Sequence, residues 1–267
     1  MSTPRRRGVR WQTVALPSEH GGWSFVGEPV LLGLLLAPSA SGAALALAAV
    51  AGFLLRHPLR IQLKALRTGR STPRTRMARR FVLLHGAALA VAGLTSILLA
   101  PSPIAFAPLA LAAPLLTVQL WHDALDRSRD VIAELAGVTA TGAIASTVVT
   151  LDGGSLTAAA GPWLALAIKG VATVLYVRAR LRSERGEAVR RALPFGAHVI
   201  GTVVLATAAA GSLLPWTAPA AMALLTIRAV AGTFGHRRRV PAKTLGAWEA
   251  AYGVLFVLLI AAGDAFS

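Results

Sequence analysis

Nine apolar stretches, at roughly 21–37, 40–56, 80–100, 104–121, 131–151, 161–178, 195–214, 216–234 and 247–263, take up most of this chain. Each is close to the about 20 residues a helix needs to cross a hydrocarbon core of about 30 Å. Apart from Lys169 and Arg228, the 27 Lys and Arg residues fall at the ends of these stretches or between them, and only in alternate links: the N-terminal tail, 56–80, 122–130, 178–194 and 237–243. The opposite links, such as 37–42 and 100–103, are short, rich in Pro, Ser and Gly, and carry neither Lys nor Arg. Segments that must satisfy their backbone polar groups inside lipid fold as helices. The expected fold is therefore all-α, a polytopic bundle of nine transmembrane helices. By the positive-inside rule its N-terminus is cytoplasmic and its C-terminus is outside a plasma membrane.

Composition agrees: 55% of the residues are hydrophobic and 14% charged, with a mean hydropathy of +0.63. The net charge of +16 would point to nucleic acid in a soluble chain. Here topology and contact with anionic lipids account for it, and no nucleic-acid partner is expected. With no cysteine, disulfides, thiolate ligands and cysteine nucleophiles are excluded. Residues 1–20 read as an uncleaved basic cytoplasmic tail, and 21–267 as one transmembrane domain. No solenoid repeat is evident.

The acidic residues are few and clustered. Asp123, Asp126, Asp130 and Glu134 are spaced three, four and four apart between the fourth and fifth spans. If that segment is helical, the four carboxylates share one face. Asp123, Asp126 and Asp130 are candidate ligands for Mg²⁺, which binds through one or two carboxylates plus substrate phosphate. The competing reading is that they favour a helix start and pair with neighbouring arginines.

Two further groups complete the candidate site. Glu19 and His20, in Leu16-Pro-Ser-Glu-His-Gly-Gly-Trp23, form a helix entrance anchored by Trp23 or an acid/base pair at the mouth of a cavity; Glu134 is a third candidate for that catalytic role. Arg56, Arg60, Arg127, Arg178 and Lys243 are candidate partners for an anionic head group, since guanidinium forks match phosphate and carboxylate geometry. Arg74, Arg76, Arg79 and Arg80 read as topology and lipid contacts. Lys169 and Arg228 lie inside spans, where an ionisable residue faces the bundle interior. Glu28 and Glu134 are the expected partners of Lys169, itself a candidate substrate contact. Polar residues inside the spans lie toward the basic side, which implies a cavity open to the cytoplasm.

Leu-Pro-Ser-Glu-His-Gly-Gly-Trp resembles the opening block of the YwiC-like family of bacterial membrane proteins, and Arg56-His-Pro-Leu59, 127–137 and Tyr176-Val-Arg-Ala-Arg180 fall where its other polar blocks are expected. His122-Asp-Ala-Leu-Asp-Arg-Ser-Arg-Asp130 is similar to the Asn-Asp-x-x-Asp-x-x-x-Asp motif of the UbiA-type intramembrane prenyltransferases, with His for Asn, and follows the fourth span where theirs follows the second. The UbiA resemblance implies nine helices around a cytoplasm-facing cavity and a prenyl diphosphate held through Mg²⁺. The expected function is thus a YwiC-like membrane protein that binds, or transfers from, a prenyl or other lipid diphosphate. The alternative is a non-catalytic transporter or assembly factor using Lys169, Glu28 and Arg228 as a charge relay or gate.

Overall fold

A computed structural model describes residues 10–17, 22–234 and 240–266. These are helical almost throughout. After a short helix α1 (Gln12–Ala15), the helices run α2 (Gly22–Leu36), α3 (Ala40–Thr68), α4 (Pro73–Leu99), α5 (Ala107–Ala124, preceded by a 3₁₀ turn), α6 (Val131–Leu151), α7 (Leu156–Glu184), α8 (Ala192–Ala210), α9 (Thr217–Phe234) and α10 (Ala242–Ala265). The helices α2 to α10 correspond in order to the nine expected spans. Eight of them, α3 to α10, are long and apolar enough to cross a membrane. The fifteen residues of α2 span only about 22 Å at 1.5 Å per residue, so among the described residues eight helices, and not the nine expected, have the length to cross.

Burial explains the arrangement. The helix α6 is the most enclosed, lined with Ala, Gly, Ser and Thr that let neighbours approach closely. It packs on α2, α3, α5 and α7, while α10 closes on α2 and α9, and α8 lies against α7 and α9. Hydroxyls join the weakly basic end: Ser41 donates to the Leu151 carbonyl, Ser96 to that of Ser41, and Thr150 to that of Ala105. Such bonds satisfy polar groups where no water is at hand. The helix α4 touches mainly α3 and turns Leu83, Leu84, Val91, Leu94 and Leu98 outward, a surface suited to lipid. Trp121, Trp216 and Trp248 are exposed near helix ends, where an amphipathic ring sits at the membrane–water boundary. The chain is a polytopic helical membrane protein.

The basic half of α3 continues past the apolar part as helix to Thr68, where Gly69 takes the left-handed conformation (φ 62°) and closes it. Thr72 and Thr75 then cap α4 reciprocally, and Gln62 donates to the Thr75 carbonyl. This turn fixes Arg70 and Arg74 over the end of α3.

Candidate functional site

The acidic segment 123–134 is not one helix. The helix α5 stops at Ala124, and Asp126 adopts a left-handed φ of 62°, a conformation Asp tolerates better than most residues. The Arg127 amide returns to the His122 carbonyl at 2.8 Å, completing a tight helix end. The shared carboxylate face is thereby broken up. Asp123, almost fully buried, receives a two-pronged contact from Arg56: Nε on Oδ2, and Nη2 at 2.8 Å from Oδ1. Asp126 sits in solvent 2.8 Å from Lys64 Nζ and 3.6 Å from Arg60 Nη2. The hydrogen bond from Lys64 and its charge, helped by Arg60, hold the Asp126 carboxyl below the ordinary carboxylate range. Asp130 precedes α6 and makes no side-chain cap bond. Glu134 accepts from Arg178 Nη1 at 2.8 Å, and the same nitrogen donates to the Arg129 carbonyl at 2.7 Å.

What these contacts frame is a basic cleft of about 940 Å³ between the end of α3, the start of α4 and the 126–130 link. Its walls carry Arg56, Arg60, Lys64, Arg70, Arg74, Arg127 and Arg129 against two carboxylates, Asp126 and Asp130, with Phe53 and Ile61 as apolar lining. Of the expected site residues, Arg56, Arg60, Arg127, Asp126 and Asp130 meet here, and Asp123 stands behind Arg56. Glu134 and Arg178 form a neighbouring pair outside the lining. Lys243 is exposed in the first turn of α10, away from the lining. Glu19 and His20 lie outside the described residues; their described neighbours Pro17 and Gly22 line the cleft. Arg74, read from the sequence as a topology and lipid contact, is a wall residue, because the tight Gly69 turn folds the start of α4 back over α3. Its location depends on the turn, which the charge pattern does not encode.

Among the described residues no group of three His, Asp or Glu side chains converges to hold a metal ion. Asp123, Asp126 and Glu134 are each engaged by a cation on another helix.

Lys169 is elsewhere. It is buried on α7 and its Nζ lies 2.6 and 2.7 Å from the two oxygens of Glu28 on α2. Glu28 is thus the partner realised, and Glu134 is not. Beside this pair Arg228 of α9 donates from Nη1 to Glu249 of α10 at 2.8 Å, both side chains over 90% buried. Its guanidinium lies 4.3 Å from the centre of the Tyr176 ring and 5.3 Å from that of Tyr252. The Arg228–Glu249 pairing escapes sequence reasoning because Glu249 lies only seven residues into α10, where it reads as an interfacial residue.

A model of the YwiC-like protein family matches residues 16–149, just over half of the chain. That stretch runs from the entrance of α2 through α6 and holds every wall of the basic cleft. No curated protein and no solved structure matches the chain. By the extent of that match and by its membrane-spanning helices, the chain belongs to the YwiC-like family.

Proposed function

We propose that this protein binds the phosphate or diphosphate head group of a prenyl or other anionic lipid in the basic cleft, from the cytoplasmic side of the plasma membrane. The observation that carries this reading is the excess of seven cationic side chains over two carboxylates in one cleft at the membrane end of α3. Phe53 and Ile61 offer an apolar wall on which the first carbons of a lipid tail can rest. The positive-inside distribution supports the orientation, with the N-terminus and the basic links in the cytoplasm and the C-terminus outside.

In a transferase of this kind, the guanidinium groups stabilise the departing diphosphate. Glu19 or His20, flanked by cleft residues in sequence, then accepts the proton of the acceptor, with Glu134 as the third candidate. Magnesium brought in with the diphosphate would be held by Asp126 and Asp130, supplying further charge neutralisation. The similarity of 122–130 to the UbiA-type motif supports transfer as the chemistry. A second reading, transport or assembly without catalysis, is favoured by the buried pairs Glu28–Lys169 and Arg228–Glu249.

The test is binding of farnesyl diphosphate to the purified full chain in non-ionic detergent, with magnesium and with chelator. Arg60→Ala/Arg74→Ala should weaken it by at least about tenfold, the scale of one charge-assisted hydrogen bond. Loss of the magnesium-dependent part in Asp126→Ala/Asp130→Ala would add the metal to the site. Equal binding by the arginine variant and the parent protein, or none by the parent, defeats the proposal.

A further inference from the structure

The membrane-buried group around Tyr176 holds more hydrogen-bonding capacity than the protein uses. Arg228 spends Nη1 on Glu249, whereas its Nε and Nη2 have no partner among the described residues. Those two nitrogens form one edge of the guanidinium, the fork that receives two oxygens of an oxyanion side by side. Glu249 uses Oε1 and leaves Oε2 unpartnered. His198 of α8 is fully buried, with its ring edge-on to Tyr176 at 6.2 Å. Its Nδ1 lies 2.7 Å from the Pro194 carbonyl, so Nδ1 carries the proton and Nε2, also unpartnered, is an acceptor. Thr173, one helical turn from Lys169 on α7, has a buried, unpartnered hydroxyl. Buried polar atoms are nearly always satisfied; here Arg228 and His198 lie against the Tyr176 ring, Glu249 is paired to Arg228, and Thr173 stands three residues before Tyr176 on α7.

We propose that this cluster is a second, intramembrane site that takes the oxyanion edge of a small organic acid on Arg228 Nε and Nη2, together with one proton on Glu249 Oε2. The charges already present set the need for the proton. The charges acting on Glu249 are Arg228 from α9, Lys169 from α7 and Glu28 from α2, while Tyr176 of α7 and Tyr252 of α10 flank Arg228 and His198 of α8 lies against Tyr176. With both pairs ionised the group is neutral, so an added anion leaves a buried unbalanced charge, which is costly. A proton on Glu249 restores the balance. The only bond made is the O–H of Glu249: the acid enters ionised, one proton is drawn from the hydronium of the solvent, and on release that O–H breaks and the proton leaves with the anion. The ion pair Glu28–Lys169 stays intact beneath.

The experiment is calorimetric binding of butanesulfonate, an oxyanion ionised at every pH used, to the purified full chain in non-ionic detergent between pH 6 and 8. Wild-type protein should bind it about tenfold more tightly per unit fall in pH, the signature of one proton taken up per anion. Arg228→Lys, which keeps the charge against Glu249 but loses the fork, should lose that binding. Glu249→Gln, a stand-in for the protonated acid, should bind with little pH dependence. Arg60→Ala/Arg74→Ala, which alters the basic cleft alone, should retain the pH-dependent component, so the two sites succeed or fail separately. The proposal is overturned by the absence of pH-dependent binding in wild-type protein, by its survival in Arg228→Lys, by its persistence in Glu249→Gln, or by its loss in the cleft variant.

Discussion

Lys169 and Glu28, 141 residues apart in sequence, meet with both carboxylate oxygens inside 2.7 Å of one ammonium, and neither side chain keeps more than 6% of its surface in contact with solvent. Removing one partner of such a pair strands a buried charge, a loss of about 3–5 kcal/mol. Lys169→Met or Glu28→Gln alone should therefore lower the midpoint of thermal unfolding in detergent markedly. The double variant should recover much of the loss, because it leaves no uncompensated charge. Additive losses would show that the two side chains are not coupled.

The pair depends on Gly253. A Cβ at that position would run into the Glu28 carboxylate and approach Lys169 Nζ to 3.0 Å. Gly253→Ala should destabilise by about 1–3 kcal/mol, the usual range for overpacking, even though Ala is the better helix former. In a Glu28→Ala background, where the space is vacant, the same change should cost little. A double-mutant cycle on thermal unfolding reads the difference.

Much of this architecture is legible in the residues. The alternation of basic links with apolar runs places the helices, and Glu28 is among the partners expected for Lys169. The cleft is less legible, for two physical reasons. A spacing of three, four and four implies one helical face only while the helix continues, and Asp126 ends it by entering the left-handed region. Arg74 joins the wall through a turn set by Gly69 and the Thr72–Thr75 cap. Arg228 and Glu249 are half-legible: Arg228 reads as an ionisable residue inside a span and Glu249 as one near a helix end, but their pairing depends on how α9 lies against α10.

Asp126 offers a pH test. Its carboxyl is held below the ordinary value of about 4 by Lys64 and then Arg60. A depressed folded-state pKa stabilises at pH above the unfolded value, and that contribution is lost as pH falls through the folded one. Asp126 is largely exposed, so the contribution stays within the about 1 kcal/mol of surface pairs. Wild-type protein should lose slightly more stability than Asp126→Asn on going from pH 5 to pH 3. The difference should shrink in high salt, which screens exposed charges. Parallel profiles for the two proteins would remove Asp126 from the ion pair.

Arg56 stands between two demands, since the nitrogens it gives to Asp123 are the ones best shaped for a phosphate, and it also lines the cleft. The buried carboxylate of Asp123 both orients the guanidinium and competes with an incoming anion for it. Replacing Asp123 by Asn keeps the shape and removes the competing charge. Asp123→Asn should therefore tighten binding of farnesyl diphosphate several-fold while lowering the unfolding temperature, because the partly buried guanidinium loses its counter-charge. Arg56→Lys should weaken binding while retaining the positive charge, since a single ammonium cannot reproduce the fork. Titration of both variants at fixed ionic strength, alongside their unfolding midpoints, separates the roles. If Asp123→Asn weakens binding as much as Arg56→Lys does, Asp123 serves to aim Arg56 at the ligand, and its competition for the guanidinium is negligible.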